Sequence, residues 1–157
     1  MRDFVSYSPY DGLILWLVGR GNSIKPGAIA GRTRQDGYVE VKILGRAYKA
    51  HNLAWELMTG ERPPKGFVVD HINRNRSDNR WSNLRLASLS ENGANAKLRR
   101  AKNLAKGVSA QVKRGRIVGY RATAAGKYLG LFADEASAHE AYLQAAKSIY
   151  GEFASAG

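Results

Sequence analysis

Alternation between apolar and polar positions marks out most of the elements of this chain. Between Gly37 and Ala50, Tyr38-Val39-Glu40-Val41-Lys42-Ile43 alternates, Leu44-Gly45-Arg46 turns, and Ala47-Tyr48-Lys49-Ala50 resumes, which predicts a hairpin. From about Asn52 the period becomes helical through Leu53, Ala54, Leu57 and Met58, with Gly60 as the stop and Pro63-Pro64 barring continuation. Gly66 to Val69 predicts a short strand that delivers Asp70 and His71. Asn73 to Asn79 is too polar and turn-rich to be anything but a loop, and Leu84 to Ala87 returns as a second strand. Ser88 or Ser90 then caps a helix running to about Arg100, with Asn92 in its first turn.

After Lys106 the pattern predicts three strands and a helix. Val108, Ala110 and Val112 alternate with Ser109, Gln111 and Lys113; Val118, Tyr120 and Ala122 alternate with Arg121 and Thr123; Lys127 to Phe132 follows an Ala-Gly turn at 125 and 126. Asp134 is the expected N-cap, Ala138, Ala141, Tyr142, Ala145 and Ile149 form an apolar helical stripe, and Gly151 ends it. The fold class is therefore α+β: a small N-terminal sheet, a strand–loop–strand–helix unit, and a three-stranded antiparallel sheet packed on one helix. We divide the chain into a first domain over 1–100, a linker over 101–106 and a second domain over 107–157, since 157 residues suit one ordinary domain or two small ones.

Charge gives this outline a partner. The chain carries a net charge of +12 with a pI near 10.2, which favours an extended polyanion, because neutralising phosphates releases condensed counterions. Asn92 to Ala133 holds ten basic and no acidic side chains, an electrostatic footprint rather than a balanced solvated surface. Double-stranded DNA is the expected partner. A membrane is not, because the cations are scattered through Gly- and Asn-rich turns and the longest apolar run, Leu13 to Val18, is too short to span a bilayer. No signal peptide opens the sequence, and a cytoplasmic location is expected, that of the host cell if the gene is carried by a phage. There is no cysteine, so thiolate zinc sites are excluded and any metal must sit on oxygen or imidazole, which suits Mg²⁺ or Mn²⁺ and leaves no structural zinc.

Within this cationic chain, Val68 to Asn92 sets a carboxylate, an imidazole and amides at fixed offsets. Cleaving a phosphodiester requires an activated water, a cation to stabilise charge on the phosphorus oxygens and help for the departing oxygen. His71 can serve as the base, since an imidazole is partly neutral near neutral pH. If the strand persists, Asp70 points away from His71, so a twist or turn is needed for both to serve one site.

Val69-Asp70-His71-Ile72-Asn73, Asp78-Asn79-Arg80, Ser82-Asn83-Leu84-Arg85 and Ser90-Glu91-Asn92 together resemble the HNH (ββα-metal) endonucleases in their phage and intron homing branch, and Ala50-His51-Asn52-Leu53-Ala54-Trp55 looks like the segment preceding the motif there. The resemblance covers about 25 residues. It implies that His71 is the general base, that Asp70 and Asn92 hold one divalent cation, Mg²⁺ or Mn²⁺, and that Asn83 orients His71 and braces the loop. Asn92 stands where the namesake pattern has a final His, so metal should bind weakly until DNA phosphate completes the shell.

The C-terminal part separately resembles the AP2 DNA-binding domain, through Lys106-Gly107-Val108, Tyr128-Leu129-Gly130-Leu131-Phe132, Ala136 to Ala146 and Tyr150-Gly151-Glu152-Phe153-Ala154. That resemblance implies a sheet lying in the major groove, with Ser109, Gln111, Lys113, Arg121, Thr123 and Tyr128 facing DNA. Lys113, Arg114 and Arg116 are expected on phosphates and Arg121 on a base, and Arg85, Lys97, Arg99 and Arg100 complete the DNA-binding set. His51 is read as structural, His139 is given no role, and Trp16, Trp55 and Trp81 as core or loop anchors. The function expected is a metal-dependent DNA endonuclease of homing type, with no small-molecule cofactor and one site per monomer. The alternative is a non-catalytic, sequence-specific DNA-binding regulator on the same fold.

Overall fold

Three hairpins of this chain close on a residue-glycine pair in which both members take positive φ: Leu44-Gly45 (48° and 80°), Arg114-Gly115 (50° and 74°) and Ala125-Gly126 (49° and 75°). Such two-residue turns match the right-handed twist of the strands they join, and the glycine bears the second positive φ without steric cost. The computed structural model describes residues 1–19, 21, 23–95 and 104–154. Its contacts divide the chain into two units, Met1–Ser88 and Leu89–Gly157.

In the first unit, β1 (Val5–Tyr7) and β2 (Ile14–Trp16) pair antiparallel, with Val5 opposite Trp16. A second sheet has the order β3-β4-β5, from Arg32–Thr33, Val39–Ile43 and Arg46–Lys49. Helix α1 (Ala50–Thr59) follows β5 directly and ends at Gly60, whose φ of 84° is the left-handed conformation. Val5, Ile14, Trp16, Val41, Ile43 and Leu53 make one core between hairpin, sheet and helix. Each such fully buried aliphatic side chain is worth about 1.5–3 kcal/mol relative to exposure.

The alternating stretch from Gly37 thus folds as expected, but the N-terminal hairpin was not legible as strands: Val5 to Tyr7 and Ile14 to Trp16 are too short to show a period. Strand β6 (Phe67–His71) pairs antiparallel with β7 (Leu84–Ser88), and a 3-10 turn over Trp81–Asn83 leads into β7. Under it, Ala54, Val69 and Leu84 are buried, with Trp55 and Trp81 packed against them and their rings 5.3 Å apart.

The second unit opens with α2 (Leu89–Asn95); the expected continuation to Arg100 lies outside the described residues. Strands β8 (Val108–Lys113), β9 (Arg116–Ala124) and β10 (Lys127–Phe132) form an antiparallel sheet with β9 central. Helix α3 (Glu135–Tyr150) packs on it and is capped by Asp134, whose Oδ1 accepts the Ser137 N–H at 2.8 Å. Val108, Ala122 and Ala124 of the sheet meet Ala138, Tyr142 and Ala146 of the helix. The helical stripe differs from expectation at its end: Ala146 is fully buried and Ile149 is 45% exposed, while Tyr150 of the last turn packs against the core. A Cβ on Gly107 (φ 76°) would lie 2.1 Å from Cδ2 of Tyr142, so glycine is required where β8 begins against α3.

No helix among the described residues is long and apolar enough to cross a membrane.

Candidate active site

The β6–β7 hairpin of the first unit builds the candidate site. Strand β6 persists through His71, with Asp70 opposite Arg85 and His71 opposite Leu84. The strand therefore makes no turn between the two residues, so bringing both to one site falls to the strong twist of a two-stranded ribbon. All three polar groups at this end of the hairpin that the sequence singled out, Asp70, His71 and Asn83, are buried.

The carboxylate meets a guanidinium. Arg85 Nε donates to Asp70 Oδ2 at 3.1 Å, and both side chains are about 10% exposed. Arg85 was expected on DNA, and in this arrangement its charge is directed inward, offsetting what a lone buried carboxylate would cost.

The imidazole meets an amide and two rings. His71 Nε2 lies 3.1 Å from Asn79 Oδ1. The Asn79 amide is itself oriented by Nδ2 donating to the Ser77 carbonyl at 3.2 Å. An amide oxygen can only accept, so this contact selects the tautomer protonated on Nε2 and leaves the lone pair on Nδ1. Around the ring stand Tyr38, with centroids 6.1 Å apart, and His51, edge-on at 5.0 Å. Burial pushes the His71 pKa below its ordinary value of 6.5, against opposing pulls from the Asn79 hydrogen bond and the charges of Asp70 and Asp78. The imidazole is therefore neutral near neutral pH, the form a general base requires.

Asn83 bonds to the loop rather than to the imidazole. Its Oδ1 accepts the Asn73 N–H at 3.0 Å, while Nδ2 donates to Asn73 Oδ1 at 3.0 Å and to the Asp78 carbonyl at 2.7 Å. These bonds close the polar loop between β6 and β7. The amide at the imidazole is that of Asn79, to which the sequence alone assigns no role. The signal was available: Asn79 is a polar side chain in the same loop as the base, separated from Asn83 by one turn.

Loop and base are braced from the N-terminal hairpin. Tyr7 Oη donates to the Asn79 carbonyl at 2.7 Å, and the Trp81 N–H donates to the Pro9 carbonyl at 2.9 Å. Burial, reinforced by the charges of Asp11 and Asp78, pushes the Tyr7 hydroxyl up to about 12, so it remains a donor. Gly12 comes so close beneath that a Cβ there would lie 2.4 Å from the Arg80 nitrogen. Asp78 is gripped by Arg80 through two bonds of 2.8 and 2.6 Å and by Asn73 at 2.8 Å, and the Arg80 bonds above all hold its carboxyl down to about 2.

His51, read as structural, is buried on α1 with its Nδ1 lacking a hydrogen-bond partner among the described residues. Burial first, then the neighbouring His71 and Lys49, lower its pKa to about 3. Trp16, Trp55 and Trp81 are packed in the two cores of this unit, as core and loop anchors should be.

In the second unit, Asn92 lies on α2 and is partly buried. Ser109 stands opposite Arg121 and Thr123 opposite Tyr128 in the register of the sheet. The Arg121 guanidinium lies over the Tyr128 ring at 5.5 Å. Ser109, Gln111, Lys113, Arg114, Arg116, Arg121 and Tyr128 are exposed and Thr123 half-buried, while the alternate positions Ala122 and Ala124 are covered by α3. His139 is occupied structurally, its Nδ1 lying 3.0 Å from the Lys106 carbonyl and its ring stacked on Tyr142. Lys97, Arg99 and Arg100 lie outside the described residues.

His71, whose burial favours the neutral imidazole, thus ends a short antiparallel strand one residue from a buried carboxylate. Residues 48–94 match the family model of the HNH endonuclease. The matched segment runs from the end of β5 into α2 and contains Asp70, His71, Asn79, Asn83 and Asn92. No curated protein and no solved structure matches the chain.

Among the described residues no three or more His, Cys, Asp or Glu side chains are grouped to hold a metal ion. The donor chemistry at the hairpin is that of one hard carboxylate, which fits a cation that keeps most of its shell for water and phosphate oxygens, as Mg²⁺ does.

Proposed function

We propose that this protein is a metal-dependent DNA endonuclease in which His71 is the general base. The observation that carries the reading is the Asn79–His71 contact: it holds a buried, neutral imidazole by its Nε2 inside the segment that matches the HNH family. His71 would take the proton from the attacking water at Nδ1 while Nε2–H stays on Asn79. Tyr38 and His51 would limit rotation of the ring. Asn83 and Asp78 would hold the loop so that Asn79 keeps its place.

Asp70 would hold one Mg²⁺ or Mn²⁺, with Asn92 the second ligand that the family resemblance implies. The bound cation supplies charge stabilisation at the scissile phosphate and departing oxygen. Arg85, on the same carboxylate, keeps Asp70 in place.

The charge of the chain and its family segment both support DNA as the substrate. We read the C-terminal sheet as an AP2-like DNA-binding surface on which Arg121 and Tyr128, with Ser109, Gln111, Lys113 and Thr123, face the groove and Arg114 and Arg116 reach phosphates. A free-standing or intron-carried homing enzyme would use such a module to select its site, and one active site per chain would nick a single strand at each visit.

The test is cleavage of supercoiled plasmid by the purified protein with Mg²⁺ or Mn²⁺. Nicking that chelator abolishes and that His71→Ala removes is expected. Absence of nicking with retained, metal-indifferent binding to DNA would instead identify a non-catalytic regulator.

A further inference from the structure

Among the described residues of the first unit, five arginines are held by carboxylates: Arg32 and Arg34 by Glu40, Arg62 by Glu56, Arg80 by Asp78 and Arg85 by Asp70. Lys49 and Arg76 are held differently. Lys49 Nζ lies 4.2 Å from the centroid of the Tyr38 ring, and the Arg76 guanidinium carbon lies 4.7 Å from the same centroid. Both cations are exposed, and neither has a carboxylate within ion-pair distance among the described residues.

Their positions are set from several sides. Lys49 ends β5, immediately before α1. Arg76 comes from the β6–β7 loop and its Nη1 donates to the Asp36 carbonyl at 3.0 Å, which ties that loop to the turn before β4. Tyr38 is half-buried, with its inner surroundings formed by His51 at 5.2 Å and His71 at 6.1 Å. Two like charges sharing one aromatic ring repel each other, and the ring's negative face offsets this only in part. An anion within reach of both would complete the arrangement.

We propose that Lys49, Tyr38 and Arg76 form a docking site for a DNA backbone phosphate next to the scissile one, seating the strand against His71. The proposal rests on the nuclease reading above and extends the DNA interface into the N-terminal sheet. Its chemistry is sequence-independent: two point contacts to phosphate position the backbone and read no base. Tyr38 links the two functions, since the ring that carries both cations also packs beside the base.

Equilibrium binding of the full chain to a mixed-sequence DNA duplex, in chelator so that nothing is cut, tests the site. Affinity is measured across a salt series for the wild type, Lys49→Ala, Arg76→Ala, the double variant and, as a control on net charge, Arg62→Ala. Each true phosphate contact contributes about 0.9 to the slope of log K against log salt. The expected result is a slope shallower by about 1 for each single variant and about 2 for the double one, with unchanged tryptophan-fluorescence melts and an unchanged slope for Arg62→Ala. A double variant with the wild-type slope, or an equal loss in Arg62→Ala, overturns the docking site.

Plasmid cleavage by the wild type separates the two proposals. If it cuts and the double variant keeps its slope, this site falls and the nuclease reading stands; if the slopes change as expected and the wild type cuts nothing, the phosphate contact stands and the nuclease reading falls.

Discussion

His51 should make the first unit acid-labile, and replacing it by Phe should remove that sensitivity. In the unfolded chain its imidazole titrates at the ordinary value of 6.5; in the folded chain burial, His71 and Lys49 hold it down to about 3. The folded state therefore binds the proton less well than the unfolded state. Stability from this group is complete above the unfolded pKa, is lost as pH falls from 6.5 toward 3, and is constant below that. Each pH unit in the window costs about 1.4 kcal/mol, so descending from about pH 8 to about pH 5 costs about 2 kcal/mol. His71, also depressed, adds to the slope in both proteins and cancels in the difference. His51→Phe keeps a ring edge-on to His71, and it removes an enclosed nitrogen that has no partner, so it should not destabilise at the upper end of the range. The assay is urea unfolding followed by tryptophan fluorescence, which reports this unit selectively because Trp16, Trp55 and Trp81 all lie within it. Parallel stability–pH curves for the two proteins, or a His51 that titrates near 6.5 by NMR in the native state, would refute the reasoning.

Four further outcomes are expected. Plasmid cleavage should rise with pH to a plateau, with the acid limb centred below 6.5, since the neutral imidazole is the active form and burial favours it; a limb centred above 6.5 would contradict the burial argument. Asn79→Ala should lower kcat by about 10- to 100-fold, because it frees the tautomer and orientation of His71. Asn79→Asp should retain the hydrogen bond yet move the acid limb upward, a shift visible in the pH–rate profile that loss of folding alone would not give. Gly107→Ala should destabilise the second unit by about 2–4 kcal/mol, since the new methyl meets the Tyr142 ring at a positive φ. Thermal melting by circular dichroism checks it, and an unchanged transition would mean that Tyr142 can move aside.

The parts of the fold that were legible in the sequence are those written in local signals. Period-two alternation announced β4, β5, β8 and β9, and the Leu44-Gly45 and Ala125-Gly126 pairs announced two of the turns. The N-terminal hairpin carries no such signal, as three-residue strands cannot display a period, and its role became visible only through Tyr7 and Gly12 lying under the 79–80 loop. The candidate base was legible because a motif fixes its neighbours in sequence. Its surroundings were not, since Tyr38, His51 and Asn79 converge on it from three elements separated by up to 41 positions. Arg85 shows the reverse failure: a cation in a basic protein reads as a DNA contact, and only the cross-strand register reveals Asp70 directly opposite.

The hydrogen bond that sets the tautomer of His71 is the last link in a chain of packing. Gly12 admits the backbone of Asn79 and Arg80 against the N-terminal hairpin, and Tyr7, kept protonated by its burial, holds the Asn79 carbonyl there. With its backbone fixed and its Nδ2 on Ser77, the Asn79 side chain has one orientation in which Oδ1 faces the imidazole. Enclosure by Tyr38 and His51 then keeps that imidazole neutral and restricts its rotation. A substitution such as Gly12→Ala, remote from the reacting atoms, must displace the 79–80 backbone to fit. It should therefore destabilise the first unit as well as reduce cleavage, because the methyl meets backbone rather than a flexible side chain, and the resulting displacement misaligns a base that must take its proton from a single nitrogen.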